Sequence, residues 1–346
     1  MVIFPDGFKL DVASARMEYY LRPGALPDVE YASMRLDLFR RDFTINTMAI
    51  ALNHDRYGEI LDFYGGQKDL DEKAVRVLHN LSFVEDPTRV FRAVRFEQRL
   101  GFKIGKQTEH LLKSAIRLKF LEQVSGLRIF NELFLILTER DPLPAVERMA
   151  QLGLLQSVDD SLDHRLAFRE LFIETRRIMD WFDLLYTGQS CRRWLCFFLS
   201  LTASLTAPRM KNACQRLSVP TRYCPLLQEQ RSAGLAVLRK LERRRSSARP
   251  PLSSDLYRWL EPLDTEVLLF LMAFTQQERV RQWLSHFVTH LRYVKPLLSG
   301  HDLRKLGIEP GPVYKQILED LLCARLNGRV DTLQDEKNYV CRKYCS

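Results

Sequence analysis

The chain has 346 residues, 46% of them hydrophobic, enough to bury a sizeable core in two or more packing units, which excludes a disordered tail. Its net charge of +9 is uneven: residues 231–250 hold seven basic side chains against one acidic, so a polyanionic partner is expected. Seven cysteines, odd in number, without a CxxC pair or a histidine at zinc-ligand spacing, argue against a disulfide framework and fit a reducing cytosol.

The N-terminal run MVIFPDGFKLDVASAR lacks a basic segment followed by an apolar one, so it reads as the middle of a β structure and not as a signal peptide. FKLDVASA, residues 8–15, alternates as a strand does. LDLFRRDFTINTMAIALN then places Leu36, Phe39, Phe43, Met48 and Leu52 at helical spacing. Within it, Arg40, Arg41, Asp42 and Asn46 fall in seven residues. That cluster suits a triphosphate and ribose hydroxyls; the plainer reading is a helix start with ion pairs. EILDFYG is a second extended run after Gly58. The stretch after it carries Asp62, Gly65, Gly66 and Asp69, either a hinge with orienting carboxylates or an ordinary hairpin.

From about residue 83 onward the pattern is helical, interrupted by DPLP at 141–144, ARPPLSS at 248–254 and EPGP at 309–312. The fourteen uncharged residues of WLCFFLSLTASLTA, 194–207, are short of the roughly 20 that span a bilayer. They read as a buried helix, and no membrane association is expected. Trp181, Phe182, Trp194, Phe197 and Phe198 sit among apolar neighbours and belong to a core. Ser125, Arg128 and Glu132 read as a capped helix with an i,i+4 ion pair, a scaffold. His286 and His290 are also an i,i+4 pair, with no third metal ligand at hand. The architecture expected is mainly α: a small α/β portion with a few strands, then an extended helical array, with residues 243–254 as a linker.

One segment carries chemistry. In SFVEDPTRVFRAVRFEQRLGF, residues 82–102, Arg89, Arg92, Arg95 and Arg99 share about 120° of a helical wheel, while Val90, Ala93, Val94 and Leu100 fall on another side. The plain account has Asp86 capping a helix, Pro87 in its first turn and the arginines in water. The sharper account pairs the acceptor Asp86 with the donor Arg89. Cytosine and adenine each offer an amine beside an unprotonated ring nitrogen, which that pair complements, whereas guanine and uracil offer the reverse.

DVASARMEYY, LDLFRRDFTINTMA, LDFYGGQKDL, EDPTRVFRAVRF and SGLRIFNELFLIL occur in an order that resembles the bacterial class II tRNA nucleotidyltransferases, the CCA-adding and A-adding enzymes related to bacterial poly(A) polymerases. SGHDLRKLGIEPGPVYKQIL is similar to their tail, and NTMAIALN and LHNLSFVEDPTR are most similar to long forms with upstream DHH and CBS domains. The resemblance implies a nucleotidyltransferase head remnant over 1–80, a base-reading neck over 81–140, a helical body over 141–242, the linker 243–254 and an RNA-binding tail over 255–346. It implies that Asp86 and Arg89 read the base with Glu85 in support, that Arg40, Arg41, Asp42, Asn46 and Arg92 contact nucleotide, and that Asp62, Gly65, Gly66 and Asp69 form a flexible motif. tRNA, ATP and CTP are the partners implied, with Arg243, Arg244 and Arg245 on RNA.

Asp11 matches the carboxylate of the family's third head strand and one Mg2+ ligand. The Asp-x-Asp strand that completes a two-metal site, with ions about 3.5 to 4 Å apart, has no match. A C-terminal fragment of such an enzyme, or a truncated reading frame, with weak or absent catalysis is therefore expected. The alternatives are a poly(A) polymerase-like enzyme and a non-catalytic RNA-binding protein.

Overall fold

Residues 1–14 are exposed throughout, so their alternation has no face to bury, and they form only the hairpin of β1 (Val2–Ile3) and β2 (Lys9–Leu10). We describe a computed structural model, which covers residues 1–20, 22, 24–25, 27–162, 168–186, 188–244 and 250–344. The strand expected over 8–15 thus shrinks to β2, and the longer strand starts later: β3 (Arg16–Tyr19) pairs antiparallel with β4 (Asp28–Tyr31).

The helix expected over 36–52 also stops early. α1 (Met34–Phe39) is capped by the Ser33 hydroxyl and ends at Arg40, and a 3-10 turn at Thr44–Asn46 leads into β5 (Met48–Ile50). Polar side chains compete with the helical ladder here. Asp42 Oδ1 accepts from the Phe43 N–H at 2.9 Å, and the Thr44 N–H goes to the distant Arg76 carbonyl at 3.0 Å. β5 pairs with β6 (Ile60–Asp62), as the extended EILDFYG predicts. α2 (Gly66–Asp71) follows a left-handed Gly65 with φ of 77°, and β7 (Ala74–Val75) pairs parallel with β8 (Lys103–Ile104).

The remaining helices of this unit are α3 (Ser82–Glu85), α4 (Arg89–Leu100), α5 (Lys106–Arg117), α6 (Gly126–Thr138) and α7 (Leu143–Gln151). Phe43, Val75, Phe83, Val90, Phe91 and Val94 form part of its buried core, which is why the apolar side of α4 faces inward. Gly126 starts α6 where the backbone of Arg216 passes so close that a Cβ would lie 1.8 Å from its carbonyl oxygen.

The second unit is helical: α8 (Arg169–Asp183), α9 (Arg193–Leu201), the start of α10 (Ala207–Arg216), which crosses the division with residues 211–216 in the first unit, α11 (Arg231–Arg244), α12 (Ser253–Leu260), α13 (Thr265–Phe274), α14 (Glu278–Thr289), α15 (Gly300–Lys305), α16 (Val313–Leu326) and α17 (Leu333–Tyr344). The expected breaks at 141–144 and 309–312 fall at the starts of α7 and α16, and the described part of 248–254, from residue 250, falls at the start of α12. Residues 194–201 of α9 are all buried and pack on α13. The buried Arg231 guanidinium meets the carbonyls of Thr202, Ala203 and Leu205 at 3.0, 3.1 and 2.8 Å, closing the C-terminal end of α9. Leu298, Leu303, Ile317, Leu321 and Val340 make a separate terminal core.

The units are Met1–Arg169 with Lys211–Pro220, and Glu170–Met210 with Thr221–Ser346. The expected boundaries near 80 and 140 therefore lie inside one unit, because α4 packs on both β7 and α7. Of the expected linker 243–254, residues 245–249 lie outside the described residues; α11 and α12, on either side, pack together within the second unit. No helix among the described residues is long and apolar enough to cross a membrane.

Candidate functional site

The site is a polar cleft of about 520 Å³ lined by Glu18, Tyr20, Arg40, Arg41, Asp42, Asn46, Asp86, Arg89, Arg92 and Phe96. Seven of these ten are residues singled out from the sequence. Three chain segments, remote in sequence, converge on it: β3 and the residue after it, the turn between α1 and β5, and the start of α4.

Asp86 lies outside α4, in extended conformation at the end of α3. Its Oδ1 accepts from the Thr88 N–H at 3.0 Å and the Thr88 hydroxyl at 2.6 Å, a local turn that orients the carboxylate. The same oxygen forms an ion pair with Arg128 Nη2 at 2.8 Å. Among the described residues, every bond to the Asp86 side chain falls on Oδ1, so Oδ2 keeps its acceptor capacity. Arg89 is only 4% exposed, with Nη1 on the Ser82 hydroxyl at 2.7 Å and Nη2 on the Arg40 carbonyl at 2.6 Å. A guanidinium has five N–H donors, so Arg89 has donors beyond those used in these bonds. The arginines of α4 are therefore not in water as a set: Arg89 and Arg95 are buried, while Arg99 is exposed.

Arg92 donates from Nε to Asp42 Oδ2 at 2.7 Å and reaches Glu132 at 3.5 Å. Asp42 Oδ1 accepts from Asn46 Nδ2 at 2.9 Å, so Asp42, Asn46 and Arg92 form one connected group. Burial raises the pKa of Glu132 despite the nearby Arg92 and Arg95. Arg40 is held by protein acceptors on all sides: Glu18 Oε1 and Asp37 Oδ1, each at 2.8 Å, and the Arg16 carbonyl at 3.2 Å. Arg41 is more open, with a hydrogen bond to the Asn46 carbonyl at 3.1 Å and an ion pair to Asp37 Oδ2 at 3.6 Å. The Tyr20 hydroxyl donates to Glu18 Oε2 at 2.8 Å, and burial together with that carboxylate raises its pKa.

Several expected roles look different in place. Glu85 faces neither Asp86 nor Arg89; its carboxylate lies 3.4 Å from His79 Nε2. Arg128 does not pair with Glu132, and Ser125 makes no side-chain cap. Instead Glu132 takes Arg92 and Arg95, and Arg128 crosses to Asp86. Asp62 binds its own turn: its carboxylate accepts from the N–H groups of Gly66 at 2.8 Å and Gln67 at 2.9 Å. Burial alone would raise the Asp62 pKa, but these backbone donors outweigh it and hold the carboxyl below its ordinary value. Asp69 is buried against Thr44 and Arg76. At Gly66 a Cβ would meet the Thr44 carbonyl at 2.6 Å, so a bonded turn, closely packed, stands where a loose hinge was one of the expectations.

Asp11 is exposed in the loop after β2 and does not line the cleft. Among the described residues no group of three or more His, Cys, Asp or Glu side chains is placed to hold a metal ion. The described residues therefore do not fit a two-magnesium site. Glu18, Tyr20 and Phe96 line the cleft, and Arg128 supports it, without a strong sequence signal. Glu18 and Tyr20 share one face of an alternating strand, a weak one; Arg128 gives none.

Residues 2–76 match the Poly A polymerase head domain, and residues 101–163 match the probable RNA and SrmB-binding site of polymerase A. The A-adding tRNA nucleotidyltransferase of Geobacter sulfurreducens is 47% identical over 342 residues, 99% of this chain and 39% of that protein. The A-adding tRNA nucleotidyltransferase of Aquifex aeolicus is 35% identical over 90% of this chain and 37% of that protein. The chain thus spans about two fifths of the length of these two. It spans 74% of the Halalkalibacterium halodurans A-adding tRNA nucleotidyltransferase, at 31% identity over 97% of this chain. A solved apo CCA-adding enzyme superposes with a TM-score of 0.77 at 32% identity, covering 99% of this chain and 78% of that one. The Thermotoga maritima CCA-adding enzyme complexed with tRNA gives 0.72 at 28% identity, covering 95% and 81%. With these sequence matches running across nearly its whole length, the chain belongs to the family of bacterial tRNA nucleotidyltransferases and poly(A) polymerases.

Proposed function

We propose that this chain selects an adenine or cytosine nucleotide and serves in template-free transfer of AMP or CMP from ATP or CTP to the 3′ hydroxyl of tRNA, with AMP favoured. The observation that carries the reading is the presence of Asp86 and Arg89 in one cleft with Arg41, Asp42, Asn46 and Arg92. Asp86 Oδ2 accepts the exocyclic amine and the remaining Arg89 donors meet the ring nitrogen. A guanine or uracil carbonyl would face the carboxylate, leaving buried groups unpaired. Arg41, the most open cation of the cluster, contacts phosphate, and the Asp42–Asn46 pair, held by Arg92, contacts ribose. Arg40 acts by holding Glu18 and Asp37 in place. The preference for AMP is supported by the three A-adding relatives named above.

Magnesium chemistry is general to the family, but Asp11, the one expected ligand in this chain, stands apart from the cleft. Weak incorporation by the isolated chain belongs to the proposal. So does RNA binding through Arg243 and Arg244, exposed at the end of α11, where Lys240 and Arg244 lie 3.6 and 5.3 Å over the Trp259 ring. Arg245 lies outside the described residues. A tRNA substrate supports a cytoplasmic location as part of the proposal.

The test is equilibrium binding of ATP, CTP, GTP and UTP, followed by incubation with magnesium, labelled ATP or CTP and tRNA lacking its 3′ end. ATP and CTP are expected to bind at least about tenfold more tightly than GTP and UTP. Equal binding of all four defeats the reading and favours a non-catalytic RNA-binding protein. Incorporation on unrelated RNA favours a poly(A) polymerase-like enzyme.

A further inference from the structure

His286 and His290 close the last turn of α14, where the His290 N–H bonds the His286 carbonyl at 3.0 Å. The i,i+4 relation therefore holds in space and not only in spacing. Their ring centroids are 5.2 Å apart, with the planes inclined by 32°. Two imidazoles sharing one tetrahedral ion at a metal–nitrogen distance of about 2.0 to 2.1 Å place their ring centres about 5 Å apart. Both side chains are exposed, so solvent ions reach them without rearrangement.

Thr289 adds what sequence spacing lacks. Its hydroxyl donates to the Ser285 carbonyl at 2.8 Å and lies 2.6 Å from His290 Nδ1. A hydroxyl has one hydrogen, so both contacts hold together only when His290 Nδ1–H is the donor and the Thr289 oxygen accepts. That tautomer leaves the Nε2 lone pair outward. A metal-binding histidine is oriented in this way, its second ring nitrogen donating to a fixed acceptor.

The two rings border a groove of about 550 Å³ whose walls include Arg177, Trp181, Arg281 and Ser285, with Glu278 also lining it. Glu278 is engaged by Arg281 at 3.0 Å. Among the described residues no third side-chain ligand joins the pair, so an ion held there would take its remaining ligands from solvent.

We propose that His286 and His290 form a two-histidine site for a divalent transition metal of the nickel, copper and zinc class. Imidazole nitrogen suits these ions, whereas magnesium demands oxygen ligands. The site shares no residue with the nucleotide cleft and does not depend on the function proposed above.

Calorimetric titration of the full chain with Ni2+, with Mg2+ as the control, tests it. One equivalent of Ni2+ is expected with a dissociation constant below about 100 µM, and no saturable heat with Mg2+. H286Q and H290Q should each weaken Ni2+ binding at least about tenfold, and T289V, which keeps the side-chain shape but removes the acceptor, by roughly tenfold. Circular dichroism of each variant should match that of the unaltered chain. With Cu2+, nitrogen hyperfine structure from two imidazoles should fall to one in H286Q. Ni2+ affinity unchanged in the H286Q/H290Q double variant assigns the metal to other groups, such as the thiols, and overturns the proposal; so does a lack of Ni2+ binding up to about 1 mM.

Discussion

Arg128 holds Asp86 Oδ1 from Nη2 at 2.8 Å while its Nη1 donates to the Gly24 carbonyl at 3.0 Å. One side chain thereby ties the segment after β3 to the carboxylate proposed to face the base. Both partners are mostly buried, so the pair is worth more than a surface ion pair. R128M should leave Asp86 less well oriented and lower the preference for ATP over GTP by about tenfold, roughly 1.4 kcal/mol. R128K should restore part of it. Competitive binding of the two nucleotides is the check, and an unchanged ratio would remove Arg128 from the recognition group.

Asp86→Ala removes the acceptor itself. Base preference should fall by about 1 to 3 kcal/mol, with GTP and UTP gaining relative to ATP and CTP. Asp86→Asn keeps the shape but offers donor and acceptor together, so its profile should lie between. Retention of full discrimination in the alanine variant would falsify the base-reading assignment.

Gly126→Ala tests packing alone. Its Cβ would lie 1.8 Å from the Arg216 carbonyl oxygen, a backbone atom that cannot swing aside. Overpacking of a core costs about 1 to 3 kcal/mol, more where backbone must move. Thermal unfolding should show a large drop in Tm or no cooperative transition. A Tm within a degree or two of the unaltered chain contradicts the close approach of α6 and residue 216.

Asp37 gives a pH signature. Burial alone would raise its pKa, but hydrogen bonds from Arg40 and the Arg16 N–H, with Arg41 nearby, hold it below its ordinary 3.8. The unfolded chain then binds this proton more readily, so the stabilisation is complete above about pH 4 and declines as pH falls below that toward the folded value. D37N should lower stability at pH 7 by about 1.5 to 3 kcal/mol and flatten the loss of stability below pH 4. Urea unfolding at pH 3, 4 and 7 measures both. Parallel acid profiles for the two proteins would show that Asp37 carries no net linkage.

Arg243 and Arg244 stand exposed at the end of α11. Replacing both with Gln should weaken RNA binding and reduce the log–log salt slope by about 0.7 for each phosphate of single-stranded RNA that is no longer neutralised. An unaltered slope makes this run a solvated helix end.

What is legible in the sequence is local. The break before α7 is set by proline, which cannot continue a helix, and the inward side of α4 by the spacing of Val90, Ala93 and Val94. The donor–acceptor pair Asp86 and Arg89 can be read because both lie within one turn of chain. The segment after Arg40 has apolar residues at helical spacing and yet leaves the helix, since the Thr44 N–H is drawn away by the Arg76 carbonyl. Arg128 reads as a scaffold residue because Glu132 stands four residues on, and only folding brings Asp86 to it. Periodicity and turn chemistry act over a few residues and are written in the chain. Which buried charge meets which partner depends on long-range packing, because desolvation makes an unpaired buried charge costly and the fold supplies whichever partner is in reach.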